Sequence, residues 1–132
     1  MATEILLNDG GAPARILPFI AEAAITGGTV VEASTTSGQV LQAQADSVIT
    51  CGVALTDAAA DGPANIITGH GVILNIYATG AVAVGDLGIV DGAGVLDFTG
   101  TAATEAAAGT DVAIALETQA SGLGLVKCMW LR

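Results

Sequence analysis

The chain of 132 residues is short of basic side chains. It has three Lys and Arg residues against thirteen Asp and Glu, and its net charge at pH 7 is -10. Nucleic-acid binding needs several cations to neutralise phosphates, and anionic membranes attract clusters of Lys and Arg. Arg15, Lys127 and Arg132 are too few for either. The composition therefore predicts a protein that has no nucleic-acid or membrane partner, and no secretory signal peptide is visible at the start.

Residues that carry chemistry are also scarce. The single histidine, His70, stands between two glycines, and the two cysteines, Cys51 and Cys128, form no Cys-x-x-Cys or Cys/His cluster. A nucleophile needs a base to accept its proton, most often histidine, and a metal site needs donors at set spacings. We therefore expect no enzyme activity, no metal and no cofactor, and we expect both cysteines to be free thiols in apolar surroundings. The carboxylates are expected to form a solvated face.

Small and aliphatic residues are abundant instead. Hydrophobic residues make up 52% of the chain but aromatic residues only 3%, and there are 18 glycines. Short runs of Val, Ile, Leu and Thr, separated by Gly or Asp-Gly, are typical of β-strands joined by tight turns. We predict strands over residues 15–20, 29–33, 40–43, 48–55, 65–68, 72–77, 87–90, 95–98, 111–117 and 123–130.

The chain also contains an internal similarity. Residues 52–60 resemble residues 113–121, with the Ala-Leu pair at 54–55 aligned on that at 115–116. A glycine-led hairpin precedes each copy and an apolar strand follows it. Such a repeat indicates two related units that bury their apolar faces together. We therefore expect an all-β fold, a small β-sandwich or partly closed β-barrel built from two related halves.

The first 24 residues differ from the rest. Pro13 and Pro18 lie in an apolar stretch, and each lacks the backbone N–H that a residue of a central strand donates to a neighbouring strand. We expect residues 1–24 to form an extended arm or an edge strand that docks either on its own domain or on a neighbouring chain. Residues 25–132 would then form one β domain, with halves at about 25–80 and 81–132.

Four segments resemble the head-decoration, or capsid cement, proteins of tailed bacteriophages. They are residues 52–62, residues 81–91 with Val95-Leu96 after the glycine turn, residues 114–117, and the closing strand at 124–131. The resemblance covers about residues 25–132, whereas the proline-containing arm is longer and more apolar than is usual in that family. It implies a structural protein on the exterior of the capsid, made in the bacterial cytoplasm. Its partner would be the major capsid protein, and homo-oligomers, often trimers, would clamp neighbouring subunits of the expanded shell.

On this hypothesis the arm contacts the capsid through its apolar residues and its one cation. The candidates are Ile5, Leu6, Leu7, Arg15, Ile16, Leu17, Pro18 and Phe19. Tyr77 and Trp130 are candidates for contacts between subunits. Two alternatives stay open: another virion structural protein, such as a head fibre or tail component, and a small carbohydrate-binding β-sandwich in which Tyr77 and Trp130 would stack on sugar rings.

Overall fold

The computed structural model describes residues 5–8, 15–98 and 109–132, and these residues confirm an all-β fold. None of the described ranges forms a helix long and apolar enough to cross a membrane. The strands are β1 (Leu6–Asn8), β2 (Arg15–Ala21), β3 (Val30–Ala33), β4 (Gln39–Gln42), β5 (Thr50–Ala54), β6 (Pro63–Thr68), β7 (Ile73–Thr79), β8 (Leu87–Gly92), β9 (Val95–Asp97), β10 (Ala113–Ala115) and β11 (Leu123–Trp130). The predicted strands overlap all of these except β1.

Strands β2 to β6 close into a barrel in the order β2-β4-β3-β5-β6. The pairings are antiparallel except for β2 with β4, which is parallel. Side chains of alternate residues point to opposite faces of a strand, so one face of each strand fills the barrel. The interior is made of small and aliphatic residues, among them Ala21, Val31, Val40, Ala54 and Ile66.

Strands β7 to β11 form a second ring, because the sheet order β7-β11-β10-β8-β9 is completed by a parallel pairing of β7 with β9. Strand β1 is added outside this ring, antiparallel to the first residues of β7. The interior again follows the alternation of the strands, with Leu74 opposite Cys128 and Ala113 opposite Trp130. All four side chains are completely buried.

The two barrels have the same topology, with each strand from β2 to β6 matched by the strand five places later. Their hydrogen bonds repeat as well. The amide of Gly28 donates to the carbonyl of Ala54 (2.8 Å), and that of Gly85 donates to Ala115 (2.9 Å). The isolated bridge between Ile25 and Ala58 recurs in the second barrel between Val82 and Gln119. The sequence similarity at 52–60 and 113–121 therefore coincides with a structural repeat.

The boundary of the repeat lies between β6 and β7. Strand β7 belongs to the second barrel, whereas the division at residue 80 placed it in the first half. The first 24 residues are also not one unit, since β2 is part of the first barrel and β1 pairs with the second. Runs of apolar residues locate strands, but they do not reveal which strand each one pairs with.

The barrels meet at a junction formed by two glycines, one from each barrel. The amide of Tyr77 donates to the carbonyl of Gly28 (2.9 Å), and the amide of Val30 donates to Gly94 (2.8 Å), whose own amide donates to Ala43 (2.9 Å). Outward-facing residues of the first barrel, Val30, Val53 and Ile67, are fully buried there and belong to the same core cluster as the interior of the second barrel.

Candidate interaction surface

Strand β2 is paired along only one of its sides for most of its length. Strand β6 pairs with it from Arg15 to Ile20, whereas β4 pairs only with Ile20 and Ala21. Among the described residues, no strand covers the other side of β2 between Arg15 and Phe19. A strand edge of this kind presents unpaired backbone groups and is a common docking position.

Pro18 lies on that open side. The carbonyl of Asn65, the residue opposite Pro18, accepts a hydrogen bond from Leu55 of the first barrel (2.9 Å), so the backbone groups of Asn65 point away from β2. In an antiparallel pair the opposite residue then also points outward. Proline is tolerated here because its missing N–H falls on the open side, as expected for an edge strand.

The equivalent edge in the second barrel is occupied. Asn75 of β7 corresponds to Pro18 in the repeat, and its amide donates to the carbonyl of Ile5 (2.7 Å) next to β1. The backbone donor that holds the N-terminal segment on the second barrel is therefore missing from the first. This difference explains why the two edges are covered differently although the barrels share one topology.

The side chains at the start of β2 are exposed on both faces. Ile16 is 49% exposed and Leu17 38%, although they point to opposite sides, and Arg15 and Pro18 are also exposed. Phe19 is half-buried, since it packs against the interior of the first barrel. Of the predicted capsid-binding residues, the structure thus brings Arg15, Ile16, Leu17 and Pro18 together on accessible surface.

The first predicted residues of the arm lie elsewhere. Ile5 is 7% exposed and belongs to the large core cluster, so its side chain stabilises this chain and is not presented to a partner. The prediction that it contacts the capsid is wrong in this respect. Leu6 and Leu7 form part of β1, and their side chains lie outside the described part of the molecule, as does Pro13.

Trp130 and Tyr77 do not form a common surface. Trp130 has no exposed surface and lies in the interior of the second barrel, so it can neither contact a second chain nor stack on a sugar. Its indole N–H has no hydrogen-bond partner among the residues that the structure describes. Tyr77 is half-buried at the junction, where its ring lies against Gly28. It also lines a cleft of about 320 Å³ between the barrels, with Gln42 and Leu123.

The two thiols occupy different environments. Cys128 is fully buried, and burial, together with the negative charge of Glu117, raises its pKa to about 12. Cys51 is half-buried, and its pKa is raised by burial and by Glu32. Both are free thiols. Within residues 5–8, 15–98 and 109–132, no three His, Cys, Asp or Glu side chains are grouped so that they could hold a metal ion.

The sequence analysis missed several exposed apolar residues. Ile20 is 40% exposed, Val84 62% and Val48 62%, and Pro63 is exposed beside Ile20. Nothing in a one-dimensional pattern distinguishes an apolar residue that is covered from one that is not.

Comparison with protein-family models and with curated proteins found no match in sequence. Among solved structures, the fold is similar to that of the head fiber gp8.5 N base of bacteriophage phi29, with a TM-score of 0.70 and 16% sequence identity. The match covers 89% of this chain and 94% of that one. At this low identity the likeness shows that the two chains share a fold.

Proposed function

We propose that this protein is a structural component of a phage virion that binds the exterior of the head and stabilises the shell by holding neighbouring capsid subunits together. The observation that carries the proposal is the shared fold with the phi29 head-fibre base, which extends over nearly the whole of both chains. Fold similarity alone does not determine function. The net charge of -10 adds support, because an acidic protein is repelled by packaged DNA, whereas its charge keeps it soluble on the outside of the head.

The contact with the capsid is assigned to the start of β2. Arg15 is one of three cationic residues in the chain, and it is followed by the exposed apolar pair Ile16 and Leu17. The open side of β2 there offers the N–H and C=O of Ile16 and the C=O of Pro18 to an extended segment of a capsid subunit. Backbone pairing of this kind gives affinity, and the flanking side chains select the partner. Proline limits the pairing to a short stretch.

Binding through several such contacts strengthens attachment. Copies joined in a homo-oligomer, for which we favour a trimer, would each use the same short contact, and linked contacts raise avidity by roughly 10²–10⁴. A shell held at many points opens only when many contacts break together. This provides a physical route from a small surface on β2 to stabilisation of a large particle.

The test is co-sedimentation with expanded empty heads. The full chain is expected to sediment with the heads, and Leu17→Asp, which places a charge among the exposed residues of β2, is expected to reduce bound protein at least tenfold. A deletion of residues 1–20 is unsuitable, because it removes most of β2 from the barrel. Val48→Asp is the matched control, since Val48 is exposed but lies in the loop between β4 and β5.

Retention of full binding by Leu17→Asp would contradict the assignment to β2. Failure of the unchanged protein to bind any heads, at concentrations well above those of the particles, would contradict the proposed function.

A second candidate is the base of a head fibre, which is supported by the fold shared with the phi29 head-fibre base. Antibody labelling of virions in negative stain separates the two, because a fibre base lies below a projecting fibre and a decoration protein lies directly at the surface.

A further inference from the structure

The junction between the two barrels uses a set of residues whose repeat equivalents are exposed or only half-buried. Gly28 of the first barrel fits closely against the second: a Cβ at this position would lie 3.1 Å from Leu125, 3.2 Å from Ile5 and 3.4 Å from Tyr77. Its equivalent in the second barrel, Gly85, has a similar positive φ (92° against 86°), but no other described residue has an atom within 4 Å of a Cβ there. The same turn is thus buried in one barrel and open in the other.

The apolar row of the first barrel that packs at the junction also has an equivalent in the second barrel. In the first barrel a row across β3, β5 and β6, formed by Val30, Val53 and Ile67, is completely buried at the junction. The corresponding row of the second barrel, across β8, β10 and β11, is Leu87, Ile114 and Met129, and these pair in the same order. All three are apolar and only half-buried. We call this row, together with Val84 and Gly85, the donor face.

The surface of the second barrel that packs against Gly28 has an equivalent in the first barrel. Tyr77 and Leu125, which lie opposite each other on β7 and β11 and contact Gly28, correspond to Ile20 and Pro63, which lie opposite each other on β2 and β6. Ile20 and Pro63 are exposed. We call Ile20 and Pro63, together with the turn glycine described next, the acceptor face.

The turn glycines of the receiving side show the same contrast. A Cβ on Gly94 would lie 2.5 Å from the carbonyl oxygen of Val30, whereas a Cβ on its equivalent, Gly38, would have no atom of the other described residues within 4 Å. Their φ angles are 73° and 76°, so both turns have the same conformation. Each chain therefore carries one completed junction, an open donor face at one end and an open acceptor face at the other.

We propose that a second copy of this chain occupies each open face, so that the donor face of one copy packs on the acceptor face of the next in the manner of the internal junction. Such a contact is heterologous, since the two surfaces that meet are different, and its repetition produces a ring or an open chain. A closed ring of three copies would contain six barrels related by nearly equivalent junctions. The proposal does not depend on capsid binding, and heads are not needed to test it.

The experiment is size-exclusion chromatography with light scattering on the full chain, whose mass is 12.9 kDa. The unchanged protein is expected to run as a multiple of that mass. Val84→Asp on the donor face and Ile20→Asp on the acceptor face are each expected to run as monomers, because either change places a charge in an apolar contact. Val48→Asp, at a residue with the same 62% exposure as Val84, is expected to assemble normally.

Mixing the two monomeric variants gives the sharper test. The Ile20→Asp chain keeps an intact donor face and the Val84→Asp chain an intact acceptor face, so an equimolar mixture is expected to form a dimer and nothing larger. Circular dichroism establishes that the variants fold, and Pro63→Glu provides a second acceptor variant. A monomeric unchanged protein, an oligomer that persists in Val84→Asp, or a mixture that stays monomeric would each overturn the proposal.

Discussion

The internal junction can be tested by adding a single methyl group. In Gly94→Ala the new Cβ would lie 2.5 Å from the carbonyl oxygen of Val30 and 3.0 Å from its nitrogen, both of which are backbone atoms. The turn cannot move away freely, because Gly94 accepts from Val30 at 2.8 Å and donates to Ala43 at 2.9 Å. We therefore expect the substitution to destabilise the folded chain by breaking contacts between the barrels.

The expected loss has two parts. A φ of 73° is unfavourable for alanine by about 1–2 kcal/mol, of which the smaller unfolded-state entropy of alanine offsets about 0.4–1 kcal/mol. Relief of the overlap weakens two hydrogen bonds, each worth about 0.5–1.5 kcal/mol. The free energy of unfolding should thus fall by about 1–5 kcal/mol. Gly38→Ala shares the φ penalty (76°) but meets no atom of the other described residues within 4 Å, so it should cost at most about 1.5 kcal/mol.

Urea unfolding monitored by circular dichroism measures both variants. The protein concentration is kept low enough for every chain to be monomeric, so that contacts between copies do not enter the comparison. The expected result is a clearly lower midpoint for Gly94→Ala than for Gly38→Ala, with similar m-values. Equal losses for the two variants would refute the reasoning, since backbone strain alone would then explain both.

The remaining predictions concern the thiols. Because burial raises the pKa of Cys128 to about 12, the folded thiol stays neutral while the unfolded one ionises near pH 9. This contribution to stability is complete below pH 9 and is lost between pH 9 and about 12. Between pH 9 and about 12, the free energy of unfolding of the unchanged protein should therefore fall more steeply than that of Cys128→Ala, by up to about 1.4 kcal/mol per pH unit. Parallel pH dependences of the two proteins would contradict this prediction. In native protein at pH 8, a thiol reagent should modify half-buried Cys51 slowly and Cys128 only after unfolding, as mass spectrometry of the labelled peptides can show.

Local patterns predicted much of this fold. Alternating and apolar runs located every strand except β1, and the Asp-Gly turn at 91–94 joins β8 to β9 as its residue types indicate. The repeated Ala-Leu pair at 54–55 and 115–116 gave the correct alignment of β5 on β10. These features depend on backbone preferences and on the period of the side chains, which are properties of neighbouring residues.

Features that depend on distant residues could not be predicted. Strand β1 has only three residues, and it pairs at Ile73 and Leu74 of β7, whereas β9 pairs with β7 only at Ala78 and Thr79. Ile5 and Ile16 are similar side chains in similar apolar surroundings along the chain, yet one is buried and the other is 49% exposed. Trp130 is a sequence candidate for contacts between subunits, whereas it fills the interior of the second barrel.

The pairing of β1 with β7 also sets an order for events during synthesis. Leu6 lies opposite Leu74, so β1 cannot pair until the ribosome has made β7. The first barrel, which spans Arg15 to Thr68, requires no strand from outside that range and can close earlier. Strand β1 is made before the strands of the first barrel but can pair only after β7 has been made, so it would stay available to chaperones, proteases or other nascent chains until then.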